Sequence, residues 1–280
     1  MTDNYYTNSY HNLVGDRFND SIWHLKVVSH ANGKRSKKGT ETKNFTGTGF
    51  LFEKTVGSYK RIFLVSNRHL LVEDNPYSLF ILAPTGDPEL DKDGSVVRYS
   101  TPLQIYPTPQ EYPAKDSLPS VVHAASNPSI DLAVIDITDR YVRIKRELEK
   151  YGVKTNPLSD TMIPLKTDWN IERGTWCPSL GFPDNSCIHL PGGGHIVQNP
   201  NEYPDFPIIE LCRADIAQGA SGSPIFVEIR NSAKLLGIVY ATGSVQMVND
   251  HLAYTRANVV KVTQLIKLTD DIMRKQGLLQ

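Results

Sequence analysis

Short strand-like segments recur along most of this chain, with turn-forming residues between them. Ser21–Val28 alternates apolar with polar residues near the start, and the mainly apolar segment Asp131–Ile137 is the firmest later strand candidate. Alternation with a period of two residues is typical of half-buried β-strands. Strands do not alternate regularly with helices, which argues against the parallel sheet of strand–helix–strand proteins. The pattern therefore favours an all-β fold of closed antiparallel barrels.

Two stretches have helical rather than strand periodicity. Tyr141, Ile144 and Leu148 recur at helical spacing, which predicts a connecting helix over residues 139–151. A terminal helix is predicted from Asn258, a suitable N-cap, to Gly277, which can end a helix. We therefore predict an N-terminal barrel half over residues 1–138, a connecting helix and linker over 139–170, and a C-terminal barrel half with its terminal helix over 171–280.

The remaining segments divide into further strands and surface loops. Residues 83–95 and 101–120 together hold many Pro, Gly and Asp residues, which predicts irregular surface loops. The further predicted strands are Phe45–Phe52, Arg61–Ser66, Ser78–Leu82, Val96–Tyr99, Val121–Ala124, Thr175–Leu180, His195–Val197, Ile208–Cys212, Pro224–Ile229 and Leu235–Ala241.

Charge and cysteine content limit the partners and the compartment. Thirty basic residues balance thirty acidic residues among 280, so no net field attracts nucleic acid or an anionic membrane. A disulfide framework is not expected, because the chain has only three cysteines, an odd number: Cys177, Cys187 and Cys212. So few cysteines favour a reducing compartment. The N-terminus shows no basic start followed by an apolar stretch. We expect a cytoplasmic protein without nucleic-acid or membrane partners.

Three separate segments hold the residues that acyl transfer by a serine requires. That chemistry needs a hydroxyl, a base, a carboxylate that orients the base, and backbone donors for the oxyanion. The glycine-rich segment Gln218–Pro224 offers Ser221 as nucleophile, with the N–H groups of Gly219 and Ser221 as donors. His69 follows an apolar strand, and Asp131 opens another. An ionisable residue at such a position needs a partner if it is buried, and a histidine N–H is a suitable one.

These segments together resemble the successive signatures of trypsin-like serine peptidases, closest to the bacterial members without disulfides. The resemblance covers about residues 20–270, with the histidine, the aspartate and the serine in the chymotrypsin-type order. Four motifs in the right order are far more specific than one. They are Thr46–Phe50, Leu64–His69, Ile130–Val134 and Gly219–Pro224, supported by Gly181–Pro183 and Gly237–Val239.

The resemblance implies two packed six-stranded antiparallel β-barrels with the active site between them. It implies a serine endopeptidase in which His69 is the general base, Asp131 orients it, and Ser221 forms the acyl-enzyme. Gly219 and Ser221 would form the oxyanion hole. No metal or organic cofactor is expected, and the expected partner is a protein or peptide substrate.

Two departures from the family bear on control and specificity. Ala220 stands where animal digestive members carry an aspartate that receives a new N-terminus, so activation by that ion pair is not expected and a regulatory protein partner is one alternative. Asp215 lies where the base of the trypsin primary pocket is expected, which would favour Arg or Lys before the cleaved bond. Tyr240 and Thr242 lie in the predicted pocket wall, where Thr242 would narrow the mouth.

Several plainer interpretations compete with these assignments. Asp136 is a second carboxylate near Asp131, although its period-two spacing with Val134 favours a solvent-facing strand residue. A latent protease-fold binding module would carry the same motifs. Lys34–Lys38 is most simply a solvated hairpin tip. Cys187, His189 and His195 do not have the spacing of a familiar zinc site, which favours an ordinary loop around the three glycines at 192–194.

Overall fold

The computed structural model describes residues 15–30, 42–72, 77–90, 96–106, 121–182, 190–216, 219–245 and 254–280. The strands of the first half are β1 (Ile22–His30), β2 (Thr42–Val56), β3 (Tyr59–Ser66), β4 (Tyr77–Leu90), β5 (Val96–Tyr106), β6 (Val122–Ala124), β7 (Ala133–Asp136) and β8 (Leu158–Ser159). Those of the second half are β9 (Trp176–Gly181), β10 (Leu190–Ile196), β11 (Ile208–Asp215), β12 (Pro224–Ile229), β13 (Ser232–Val245) and β14 (Tyr254–Lys261).

Three α-helices and several short 3-10 helices complete the described part of the chain. The α-helices are α1 (Arg68–Leu71), α2 (Tyr141–Glu149) and α3 (Val262–Lys275). The 3-10 helices are Gly15–Ser21, Thr138–Arg140, Asp160–Met162 and Lys166–Trp169. Among the described residues, no helix is long and apolar enough to cross a membrane.

The second half is the closed antiparallel barrel that the sequence predicted. Its six strands run in the order β10-β11-β14-β13-β12-β9, and β10 pairs with β9 to close the ring. The pairs are antiparallel throughout, as in β11–β14 and β13–β14. Closure leaves no open edge on this sheet.

The first half is a sheet of eight strands rather than the six-stranded barrel we expected. Its order is β5-β4-β1-β2-β3-β7-β6, with the short β8 parallel to β2. Within the described ranges, β5 and β6 do not pair to close it. The β4–β5 hairpin is longer than predicted, because its strands include residues 83–90 and 101–106, which we predicted as loops. Register shifts around Pro84 and Glu89 accommodate the prolines, which cannot donate to a ladder.

Alternation along the central strands buries the first sheet on both faces. On one face, Phe50, Phe63 and Val134 join a core that continues into the second barrel, with Phe18 stacked on Phe226 at 4.9 Å. On the other face, the intervening residues form a separate core that includes Leu51, Leu64 and Ile135. Because the first core is shared, β3, which leads to His69, and β7, which follows Asp131, pack directly against the barrel half that contains Ser221.

The helices agree with the sequence in position and differ in their limits. The predicted connecting helix is confirmed as α2, with its apolar side chains Ile144 and Leu148 buried. The terminal helix begins later than expected, because Asn258 pairs with Glu210 inside β14 and does not cap α3. Ladder hydrogen bonds from distant strands outweigh the local capping preference here. The predicted domain limits at residues 138 and 170 stay predictions, and Lys34–Lys38, Cys187 and His189 lie outside the described residues.

Candidate active site

His69 and Asp131 form a two-point hydrogen-bonded pair at the end of the β3–β7 ladder. The ladder ends with Ser66 opposite Ala133, so the residues just beyond it meet. The Nδ1 of His69 lies 2.6 Å from Oδ2 of Asp131, and the His69 backbone N–H donates to Oδ1 at 2.9 Å. Asn67 donates from Nδ2 to the Asp131 carbonyl at 2.9 Å. A carboxylate only accepts, so Nδ1 carries the proton and Nε2 is left as the basic nitrogen.

Ser221 lies in a tight turn just before β12, closed by a bond from the Ser223 N–H to the Ala220 carbonyl at 2.9 Å. Gly219 and Gly222 both have φ of 90°, a conformation that favours glycine. The Gly222 N–H donates to the Val239 carbonyl at 2.8 Å, which holds the turn against β13. A methyl group on Gly222 would lie 1.9 Å from the Thr48 carbonyl oxygen, so no larger residue fits. Ser221 itself is half-buried at this turn.

Thr48, on β2 of the first half, is hydrogen-bonded to this turn. Its N–H donates to the Ser221 carbonyl at 2.8 Å, and its hydroxyl donates a longer bond of 3.4 Å to the Gly219 carbonyl. The same hydroxyl accepts the Phe182 N–H at 2.9 Å. The Thr48 carbonyl in turn accepts from Oγ of Ser66, the residue that ends β3, at 2.7 Å. One side chain and its backbone therefore connect the serine turn to the strand that leads to His69.

Gly47 brings the same two segments together by close packing. A methyl group there would lie 2.4 Å from the side chain of Leu70, the neighbour of His69, and 3.2 Å from the Ser221 carbonyl oxygen. Leu70 and Ser221 thus lie against the same glycine. The structure therefore places the His69–Asp131 pair and the Ser221 turn at one junction between the two halves.

Tyr240 is a partly buried residue of β13. It is the extra residue of a β-bulge, because Val239 pairs with Val259 and Ala241 with Asn258. Bulges commonly redirect a side chain next to a functional site. Burial raises the pKa of the Tyr240 hydroxyl, and the negative charge of Asp131 raises it further. The sequence had placed Tyr240 in a substrate pocket, and the structure adds that its hydroxyl is within the electrostatic influence of Asp131.

The other residues assigned to a substrate pocket are solvent-facing. Asp215 ends β11 opposite Gly193, and its side chain is exposed. Thr242 is exposed on β13 opposite Ala257. The exposed carboxylate of Asp215 is available to a ligand. It is not buried at the base of a pocket, as the resemblance to trypsin-like peptidases implied.

Asp136, the competing carboxylate, is committed to other partners. Its Oδ1 accepts from the N–H and the hydroxyl of Thr138, at 3.0 and 2.6 Å. Its Oδ2 lies 3.7 Å from Arg61 and accepts from Gln276 at 3.3 Å. We had expected it to face solvent, but it stabilises the end of β7 and the turn after it.

Sequence reasoning gave no role to three residues around the serine turn. Thr48, Phe182 and His24 form a buried group in which His24 stacks on Phe182 at 4.8 Å. Burial lowers the pKa of His24 to about 4, so this imidazole is neutral. A threonine between two glycines on a strand was the available signal for Thr48, since glycines beside it allow close approach of another backbone.

The described residues hold no group of three or more potential metal ligands. His195, one member of the weak metal alternative, has Nδ1 2.8 Å from the Gly174 carbonyl and meets Trp176 edge-on. An Nδ1–H that donates to a backbone carbonyl orients the ring within the protein. Cys177 is buried and free, and burial raises the pKa of its thiol.

Comparisons with known proteins support the fold. No family model matches the chain, and no curated protein matches it. A solved structure of AlgW, an HtrA-type protease in a serine-to-alanine form with a decapeptide, has 15% identity and a TM-score of 0.50, covering 98% of this chain and 68% of that chain. An inactive serine-to-alanine form of Rv3671c from M. tuberculosis H37Rv has 15% identity and a TM-score of 0.49, covering 96% of this chain and 94% of that one. The chain thus has the chymotrypsin-like fold of trypsin-like serine proteases.

Proposed function

We propose that this protein is a serine endopeptidase that uses His69, Asp131 and Ser221 as its catalytic triad. The observation that carries the proposal is the two-point pair between His69 and Asp131 at the junction where the Ser221 turn is held. A histidine with its Nδ1–H committed to a carboxylate is oriented and in the tautomer that a general base needs. A purely structural histidine would not need a backbone and a side-chain bond to the same carboxylate.

In the proposed reaction, Nε2 of His69 takes the proton from the Ser221 hydroxyl as its Oγ attacks the substrate carbonyl carbon. The negative charge that develops on the carbonyl oxygen is stabilised by the N–H groups of Gly219 and Ser221. His69 then gives its proton to the leaving amine, which leaves an acyl-enzyme on Ser221. Water attacks that ester with His69 again as base, and the acid product leaves. Asp131 stays ionised and stabilises the imidazolium formed at each step.

The substrate is proposed to be a peptide or protein, with Asp215 favouring Arg or Lys before the cleaved bond. Support for the basic preference is the exposed carboxylate at the end of β11, next to the segment that leads to Ser221. A peptide substrate also agrees with the decapeptide in the AlgW structure. We propose a cytoplasmic location on the cysteine content alone.

Labelling with a fluorophosphonate tests the proposal directly, because this probe reacts only with an activated serine. We expect labelling of the wild type and none of Ser221→Ala. Ser129→Ala, a change in an exposed turn, is the matched control and should label like the wild type. If folded wild-type protein does not label, the triad is not active in this state, and the latent binding module becomes the better description.

A further inference from the structure

A cavity lies on the outer side of the C-terminal barrel, where the linker between the two halves meets the start of α3. Its volume is about 350 Å³, at the lower end of the range for small-molecule pockets. None of the residues that line it belongs to the proposed triad or oxyanion hole. Its apolar wall is formed by Ile163, Pro164, Trp169, Pro200, Pro204 and Ile266.

Lys261, the last residue of β14, is the charged residue of this cavity. Its side chain is almost entirely buried, at 3% exposure. The ammonium donates to the Tyr203 carbonyl at 2.6 Å and to the Pro200 carbonyl at 3.3 Å. Both acceptors belong to the turn that supplies Pro200 and Pro204 to the wall, so the ammonium lies at the cavity's edge. An ammonium has three N–H donors, and these two neutral carbonyls use two of them.

The positive charge of Lys261 is only weakly compensated. Among the described residues, no carboxylate forms an ion pair with it within 4.0 Å. Burial lowers the pKa of Lys261, and the negative charge of Asp205, which is exposed on the same turn, opposes that effect. A buried cation without a close counter-ion is costly, so a bound anion would stabilise it.

The chain next to two of the lining residues exposes large apolar side chains. Leu165, which follows the lining residue Pro164, is 65% exposed, and Tyr203, which precedes the lining residue Pro204, is 53% exposed. The apolar wall favours an apolar ligand body, and Lys261 favours one negative charge.

We propose that this cavity binds a small apolar monocarboxylate, with its carboxylate on Lys261 and its apolar body against Trp169 and the prolines. A free acid is favoured over the C-terminus of a peptide because the cavity offers no strand edge for a peptide to extend. Lys261 is the strand residue that lines it, and the Lys261 N–H already donates to the Pro207 carbonyl at 2.8 Å.

Octanoate is the probe, and the fluorescence of Trp169 in the cavity wall is the signal. We expect a saturable change with the wild type at pH 7, and its loss in Trp169→Phe identifies the reporter. Octan-1-ol has the same apolar body without the charge. It should bind roughly 10- to 100-fold more weakly, the ratio for losing one charged hydrogen bond.

Two variants separate binding from folding. Lys261→Met keeps the length of the side chain without its charge and should weaken octanoate binding by the same roughly 10- to 100-fold. Lys267→Met, an exposed lysine on α3, is the matched control and should bind like the wild type. Should Lys261→Met misfold, Ile266→Trp fills the cavity while leaving Lys261 in place, and it should abolish binding in calorimetry with an unchanged far-ultraviolet circular dichroism spectrum.

The proposal is overturned by the absence of a saturable change with octanoate, by equal binding of octan-1-ol, or by unaffected binding in folded Lys261→Met or Ile266→Trp. Binding of a peptide with an apolar C-terminal residue but not of octanoate would also overturn it. Isothermal calorimetry on the same proteins checks each result without relying on fluorescence. None of these outcomes depends on fluorophosphonate labelling of Ser221, so this proposal and the proposed activity can fail separately.

Discussion

Thr48 donates its backbone N–H to the Ser221 carbonyl at 2.8 Å, across the boundary between the two halves of the protein. The hydroxyl of the same residue donates to the Gly219 carbonyl at 3.4 Å and accepts the Phe182 N–H at 2.9 Å. The two residues whose N–H groups are the proposed oxyanion donors, Gly219 and Ser221, therefore both accept a hydrogen bond from Thr48 at their carbonyls. A turn held at both residues keeps its N–H groups directed before the substrate arrives, which is what oxyanion stabilisation requires.

Thr48→Val should lower catalysis without breaking the backbone bond to Ser221. Valine keeps the shape but loses the bond to Gly219, and it leaves the buried Phe182 N–H without an acceptor. We expect kcat to fall about tenfold with little change in KM, and the free energy of unfolding to fall by about 1–3 kcal/mol. Steady-state hydrolysis of fluorogenic peptides and urea unfolding measure the two effects. Thr48→Ser restores the hydroxyl and should recover most of kcat. Equal kcat values in the wild type and both variants would show that the Thr48 hydroxyl does not contribute to catalysis.

Asp131→Asn should abolish most of the activity while leaving the fold intact. The asparagine amide can donate to Nδ1, which would put the histidine proton on Nε2, where it blocks the transfer from Ser221. A fall in kcat of about 10³–10⁴-fold is expected for this change of tautomer. Asp136→Asn is the matched control, since Asp136 bonds Thr138 and Arg61. It should lower stability slightly and leave kcat near the wild-type value, and a reversed pattern would reassign the triad carboxylate.

Gly222→Ala should prevent the serine turn from forming. The new methyl group would meet the Thr48 carbonyl oxygen at 1.9 Å, at a φ of 90° that alanine rarely adopts. Strain and overpacking together should lower the free energy of unfolding by about 3 kcal/mol or more. Gly243→Ala, where a methyl group meets nothing within 4 Å, is the control and should be nearly neutral. Thermal unfolding compares the two, and similar melting temperatures would contradict the close approach of Gly222 to β2.

His24 should make the protein less stable as the pH falls from about 6.5 towards 4. The ordinary pKa of 6.5 applies to the unfolded chain, and burial lowers the pKa to about 4 in the folded state. Between these values the unfolded chain binds more protons than the folded protein. The contribution of His24 to the free energy of unfolding is therefore fully present above pH 6.5 and is lost as the pH falls to about 4. The full loss is about 3 kcal/mol. His24→Phe keeps a ring on Phe182 and should flatten this dependence in urea unfolding between pH 7.5 and 5, and an unchanged slope would exclude His24 as its source.

Asp215→Ala tests the proposed preference for Arg or Lys. If the carboxylate at the end of β11 reads the side chain before the cleaved bond, its loss should remove the preference and lower kcat/KM for basic substrates. Profiling both proteins on a peptide library measures this change. Because Asp215 is exposed, the substitution should leave the melting temperature unchanged. An unaltered cleavage profile would mean that another residue sets the specificity.

Local pattern was enough to predict the central strands, the connecting helix and the three triad candidates, but not the full length of the β4–β5 hairpin. The apolar runs of β3 and β7 are buried because both faces of this sheet are covered, and such short runs are visible in the sequence. Gly219 and Gly222 predict a turn with backbone conformations that favour glycine, and both have a φ of 90° in the structure. The three candidates lie in separate segments, so their motifs and order were visible without coordinates.

Tertiary structure alone decided which distant residues meet. Asp136 lies five residues after Asp131 and was a competing carboxylate, and the β3–β7 register brings Asp131 to His69 and leaves Asp136 with Thr138. Asn258 has a capping side chain, yet its pairing with Glu210 keeps it in β14. Thr48, His24 and the cavity at Lys261 depend on contacts between residues more than 50 positions apart. Sequence patterns record how each segment is buried, whereas long-range hydrogen bonds and packing select the partner, and that choice exists only in the folded chain.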